Sequence, residues 1–237
     1  MMTLKDRTVL VIGRGGGIAR ATTDAVREAG ASVVVAGRDP AKLAVAYDDP
    51  AITAETVDLT DEASVAALAA RLGTVDHVVT TASARARGPV GELDPDVVAL
   101  SLRTKAVGAI LLAKHFATRM PADGSFLLLS GATSVKPAAG MLAVAATNGA
   151  VDAIVRSLAV ELAPIRVNAI SPGTIDTGAY DALGPERKAA LFAGRGGTNP
   201  ARRVGTADDV AQAVVFALTN TFLTGVSLGI DGGERLV

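Results

Sequence analysis

The chain has 237 residues, with 23 basic and 24 acidic side chains and a net charge of −1, a balance that excludes a nucleic acid or a membrane surface held by charge. No cysteine is present, which excludes disulfides, thiol catalysis and cysteine-based metal sites, and two histidines leave little for a transition-metal centre, so no metal is expected. With 49% apolar and only 3% aromatic residues, the core should be built from Ala, Val, Leu and Ile. The N-terminal MMTLKDRTVL enters a strand too soon for a secretory signal. No apolar run reaches the roughly 18 residues of a membrane helix, and a cytoplasmic protein is expected.

Thr8 to Ile12 (TVLVI) is a short aliphatic and β-branched run, the pattern of a strand buried on both faces. It leads into Gly13-Arg14-Gly15-Gly16-Gly17-Ile18-Ala19 and then a helical stretch from about Ile18 to Ala29. Strand, glycine turn and helix N-terminus together make a diphosphate site. The glycines let the backbone approach, and unpaired N–H groups at the positive end of the helix face the anion.

Ser32 to Gly37 (SVVVAG) is a second strand with Arg38 at its tip. In a dinucleotide fold this tip meets the adenine ribose, where a carboxylate would bind the 2′-hydroxyl. Here Arg38 and Arg14 stand there instead, which suits a 2′-phosphate and therefore NADP(H); a merely solvated arginine is the alternative. Asp39 reads as the cap of the next helix.

Ile52–Val57 is a third strand ending at Asp58-Leu59-Thr60, Asp61–Leu72 an amphipathic helix, and Asp76–Thr81 a fourth strand. After the basic loop Ala82–Gly91 comes a long helix, Pro95–Met120, with apolar residues on more than one face. Ser125–Leu129 is a fifth strand, Met141–Ala163 a long helix, Ile165–Ile170 a sixth strand, Thr206–Thr219 a helix, and Val226–Ile230 a seventh strand. Residues 174–200 read as irregular, a lid over a pocket. Strands alternating with helices throughout predict one α/β domain over 1–237, a doubly wound parallel sheet of seven strands with helices on both faces.

These landmarks resemble the short-chain dehydrogenase/reductase family, whose fold is Rossmann-like, over nearly the whole length. The resemblance rests on the glycine turn at 13–19, Asp58-Leu59-Thr60, Arg166-Val167-Asn168, Pro172-Gly173 with Ile175 and Thr177, Arg203-Val204-Gly205, and Gly225 before Asp231-Gly232-Gly233. It implies that Asp58, with Leu59 beside it, binds the adenine amino group. It implies that Pro172, Gly173, Ile175 and Thr177 hold the nicotinamide carboxamide, and that Thr81 and Ala82 stand in the segment where the family has Asn-Asn-Ala-Gly. It further implies a homodimer or homotetramer through the helices at 95–120 and 141–163.

The family's chemical residues are where this chain departs. The pattern places the usual tyrosine at Val144, the lysine at Asn148, the serine at Gly131 (Ser130 with a shift of one) and the helix asparagine at Lys105. Valine donates no proton and Asn148 carries no charge. Candidate replacements are Lys105, either an acid with a pKa lowered by burial or a surface lysine, Ser130, and Tyr180 in the lid. Arg85 and Arg87 in the basic loop either meet an anionic substrate or are solvated. His77 and His115 do not read as catalytic bases. Two functions follow: an NADP(H)-dependent oxidoreductase acting on a small carbonyl or alcohol, or an NADP(H)-binding protein without redox turnover.

Overall fold

A computed structural model describes residues 3–237. Its strands are β1 (Thr8–Ile12), β2 (Ser32–Gly37), β3 (Ile52–Thr56), β4 (His77–Thr80), β5 (Ser125–Leu129), β6 (Arg166–Pro172), β7 (Ile175–Asp176), β8 (Gly205–Thr206) and β9 (Ser227–Ile230). Its α-helices are α1 (Gly17–Glu28), α2 (Pro40–Tyr47), α3 (Glu62–Leu72), α4 (Pro95–Leu102), α5 (Gly108–Phe116), α6 (Leu142–Glu161), α7 (Pro185–Thr198) and α8 (Ala207–Thr219).

Seven strands form one parallel sheet in the order β3-β2-β1-β4-β5-β6-β9. The order reverses between β1 and β4, so the carboxyl ends of these strands part there and open a crevice. β1 is buried on both sides because its side chains alternate between two cores. Leu10 and Ile12 face Val78, Phe116, Phe126 and Val155 on the α3, α5 and α6 side. Val9 and Val11 face Val26, Val33, Val210 and Val214 on the α1 and α8 side.

The Arg166-Val167-Asn168 motif has a structural use. Arg166 is buried on β6 and donates to the carbonyls of Ala217 and Leu218, the C-terminal end of α8 that a cation stabilises. Asn168 donates to Leu223 O and accepts from Val226 N, fixing the turn before β9. Asp39 caps α2 by accepting from Lys42 N, as expected.

Two expectations are corrected. The helix expected over 95–120 is not uniform: between α4 and α5 lies a π-helical turn, Arg103–Val107, closed by the Gly108 N–H donating to the Arg103 carbonyl. The stretch 174–200 is not irregular, since it contains β7, which pairs with β8, and the 14-residue α7. Pro185 starts α7 with a preset φ, and Lys188 ties it down through Asp176 and Asp181. None of its residues is buried. The α6 helix has the length and composition of a membrane span, but it packs on β5 and β6, and its Asp152 accepts from Ser227 Oγ.

Candidate active site

The cofactor half is built on the β1–α1 turn. Gly17 has φ +56°, which a side chain disfavours, and a Cβ on Gly13 would run into Thr81 Oγ1. Nothing lies within 4 Å in front of Gly16, the N-cap of α1. No side chain among the described residues caps that helix and its first turn holds no acid, so its free N–H groups can serve an anion. Gly15 packs toward Ala46 of α2, Ile18 is half-buried against the core, and Thr177 closes on Gly17 from the other strand end.

Arg14 and Arg38 are exposed and make no hydrogen bond or ion pair with any described residue. Lys42, beside Asp39, adds a third cation on the same flank. Asp58 is held as a carboxylate. Two hydrogen bonds from Thr60, one backbone at 2.9 Å and one hydroxyl at 2.7 Å, lower its pKa, and Arg38 lowers it further. Both bonds use Oδ1, which leaves Oδ2 to accept from a ligand. Leu59 is buried beneath it.

Thr81 N donates to Ile12 O, so Thr81 and the half-buried Ala82 stand at the β1–β4 crevice. Across it, Pro172 ends β6 and Gly173 N donates to Ile230 O. Glu234, unremarked in the sequence, accepts from Thr174 N at 2.7 Å and fixes this turn; nothing local marks so distant a partner. Ile175 is buried. The residues present fit a dinucleotide with a 2′-phosphate: an uncapped helix start, two free arginines and an acceptor at the adenine end.

The chemical half centres on Lys105. The π turn carries it into the site, where Nζ donates to Ser130 O at 2.9 Å and to Asn148 Oδ1. Asn148 is 3% exposed and donates through Nδ2 to Thr133 Oγ1 at 2.8 Å, so its amide is oriented with its oxygen toward the lysine. The Lys105 pKa falls from 10.5 to about 7, chiefly because burial disfavours the charge and then because Arg85 repels it; Asp152 opposes both.

Asn148 therefore receives Lys105, which is not a surface lysine. Ser130 enters differently from the expectation: its hydroxyl is buried and turned to Asn148 O at 3.3 Å, and only its carbonyl serves the lysine. Gly131 bears no side chain for a physical reason, since a Cβ there would stand 2.6 Å from Asn148 Nδ2. Val144 lies one turn before Asn148 on α6, partly exposed. Tyr180 meets Phe192 of α7 edge-on with centroids 5.5 Å apart, and lies near enough to Arg85 to act on its titration. His77 is buried away from the crevice, against Ser125 Oγ at 2.9 Å, with its pKa lowered to about 4 mainly by burial.

Strand order, glycine turn and uncapped helix start define a dinucleotide-binding α/β protein. The family model described as enoyl-(acyl carrier protein) reductase matches residues 13–234. The chain belongs to the short-chain dehydrogenase/reductase family, whose members are nicotinamide-dependent oxidoreductases. It is 31% identical to the short-chain dehydrogenase/reductase ucsE of an Acremonium species, over 98% of this chain and 97% of the relative. It is 32% identical to the cis-4-hydroxycyclohexanecarboxylate dehydrogenase of Sinomonas cyclohexanicum, over 98% of each. Among solved structures, a small-chain dehydrogenase in complex with NADPH superposes with a TM-score of 0.86 at 33% identity, covering 98% of this chain and 99% of that one.

Proposed function

We propose an NADP(H)-dependent oxidoreductase acting on a small carbonyl or alcohol, in which Lys105 replaces the family's tyrosine as the acid. The observation that carries this reading is the bonding of its Nζ. Two N–H groups are taken by Ser130 O and Asn148 Oδ1, and no carboxylate among the described residues bonds to the third. The bound nicotinamide would supply or accept hydride at the reacting carbon. As the carbonyl carbon gains hydride, its oxygen gains negative charge, and the third Lys105 N–H is transferred to that oxygen to give the alcohol. The neutral amine left behind still donates its two remaining N–H groups to the same acceptors, so neither protonation state leaves them unpaired. Asn148 and Thr133 act as positioning residues for the lysine, and residues 174–200, Tyr180 among them, form the lid.

Arg14 and Arg38 are proposed to bind the 2′-phosphate of NADP(H), with Asp58 on the adenine. The relative with an NADPH complex supports the cofactor class. The name of the Sinomonas relative specifies a cyclic hydroxy acid, which puts 4-oxocyclohexanecarboxylate in the test panel. NADPH consumption is followed against ketones, quinones and imines: turnover lowered roughly 10²–10⁴-fold by Lys105→Met is expected. Tight NADPH binding with no turnover across the panel would instead leave a cofactor-binding protein. Assembly as a homodimer or homotetramer through α4, α5 and α6 completes the proposal.

A further inference from the structure

The loop after β4 projects two arginines on one side. Ala84 O accepts from Ser101 Oγ at 2.6 Å, Ala86 is 2% exposed, and Gly88 N donates to Gly140 O at 3.0 Å. Between these anchors, exposure alternates along the chain, with Arg85 and Arg87 outward and Ala86 inward. The Ser101 anchor is itself bonded to Thr147, the neighbour of Asn148 on α6, so the loop is strapped to the helix that orients Lys105. Arg85 makes no hydrogen bond or ion pair with any described residue. Lys105, Arg87, Arg14 and Tyr180 all act on it or feel it electrostatically, and none of these is a carboxylate. Asp152 acts on Lys105 but is outnumbered by these cations, which repel one another, and an oxyanion between them relieves that repulsion.

We propose that Arg85 is an anion subsite beside Lys105, and that the substrate is a carbonyl compound or alcohol carrying a carboxylate. This rests on the oxidoreductase reading given above and names the substrate class for the same site. Lys105 meets the oxygen that changes bond order, while the Arg85 guanidinium holds the distal carboxylate with charge-assisted hydrogen bonds. A phosphate of the cofactor offers the same oxyanion chemistry, and the test must separate the two.

Acetate, butyrate and cyclohexanecarboxylate, each paired with its primary amide, are titrated calorimetrically into the protein saturated with NADP⁺. At least one acid should bind about 10- to 100-fold more tightly than its amide. Arg85→Gln should bring the pair near parity, Arg85→Lys should keep part of the preference, and NADPH affinity should be unchanged by Arg85→Gln. Equal affinity, or none, for acids and amides throughout the series overturns the proposal. So does a loss of NADPH affinity in Arg85→Gln, which would assign Arg85 to a cofactor phosphate. A carboxylate preference without turnover of any ketone removes the redox reading and leaves the subsite; ketone turnover without the preference does the reverse.

Discussion

Lys105 is an ammonium only below about pH 7, because burial and Arg85 both disfavour its charge. An acid must be protonated to act, so ketone reduction should fall as pH rises through about 7, while alcohol oxidation, which needs the neutral amine, should rise. General acid catalysis is worth roughly 10²–10⁴-fold, and Lys105→Met should cost about that much in kcat with NADPH affinity little changed. A flat pH profile in the wild-type protein would take the lysine out of the chemistry, and Tyr180→Phe becomes the next variant to assay. At the other end of the crevice, each charge-assisted bond from Arg14 or Arg38 to a 2′-phosphate is worth about 1.5–3 kcal/mol. NADPH should bind at least about tenfold more tightly than NADH. Arg38→Asp should erase that preference, and equal affinities in the wild-type protein would show that the strand tip has been misread.

Between β5 and α6 the departures from the family pattern form one set. Asn148 fills the space over Gly131 and takes the Lys105 ammonium, so the three residues depend on one another. Gly131→Ser alone should destabilise by about 1–3 kcal/mol through overpacking against the Asn148 amide. Asn148→Lys should relieve that clash yet set two ammonium groups together unless Lys105→Asn accompanies it. Denaturant midpoints around a double-mutant cycle of Gly131→Ser and Asn148→Lys should therefore show coupling rather than additivity. This dependence was only half legible in the sequence. Residue counting against the family placed Lys105, Asn148 and Gly131, but not the π turn that swings Lys105 inward or the Asn148–Thr133 bond, since neither has a local sequence signal. Strands and the glycine turn were legible because burial on two faces demands unbroken apolar runs. Helix α7 was hidden by Gly194, Gly196 and Gly197, poor helix formers that Pro185 and the Lys188 ion pairs override. His77 on β4 gives a further test. Its folded pKa of about 4 lies below the usual 6.5, so between these values the unfolded chain takes up a proton that the folded chain does not. Stability should thus drop as pH falls from 6.5 toward 4, by roughly 3 kcal/mol in all, and His77→Asn should flatten that slope in urea melts. The hydrogen-bonded carboxylates Asp58 and Asp209 lose their contribution only at lower pH, because their pKa values lie below the ordinary carboxylate range.

Among the described residues, an apolar stripe along α4, the π turn and α5 is left without cover. Val97, Leu100, Val107 and Ile110 recur at helical spacing along α4, the π turn and α5, each between 41% and 47% exposed. On α6, which packs beside them, Leu142 and Val160 are exposed and lie 18 residues apart, five full turns, so they share a face with the small residues Ala146 and Ala153 between them. A fully buried aliphatic side chain is worth about 1.5–3 kcal/mol. Covering the exposed half of the four stripe residues on each of two copies therefore yields roughly 6–12 kcal/mol. Association costs an estimated 4–15 kcal/mol, so the stripe alone is marginal. A second copy that also covered the flat face of α6 would tip the balance, and two-fold symmetry would set each patch against its like. Light scattering at micromolar concentration should give a multiple of the 23.8 kDa chain mass. A charge placed in the middle of the stripe, Val107→Asp, should return the protein to the monomer without unfolding it, because Val107 is partly exposed within one chain. A wild-type mass of one chain at that concentration would leave the stripe unexplained by self-association and would sink the dimer.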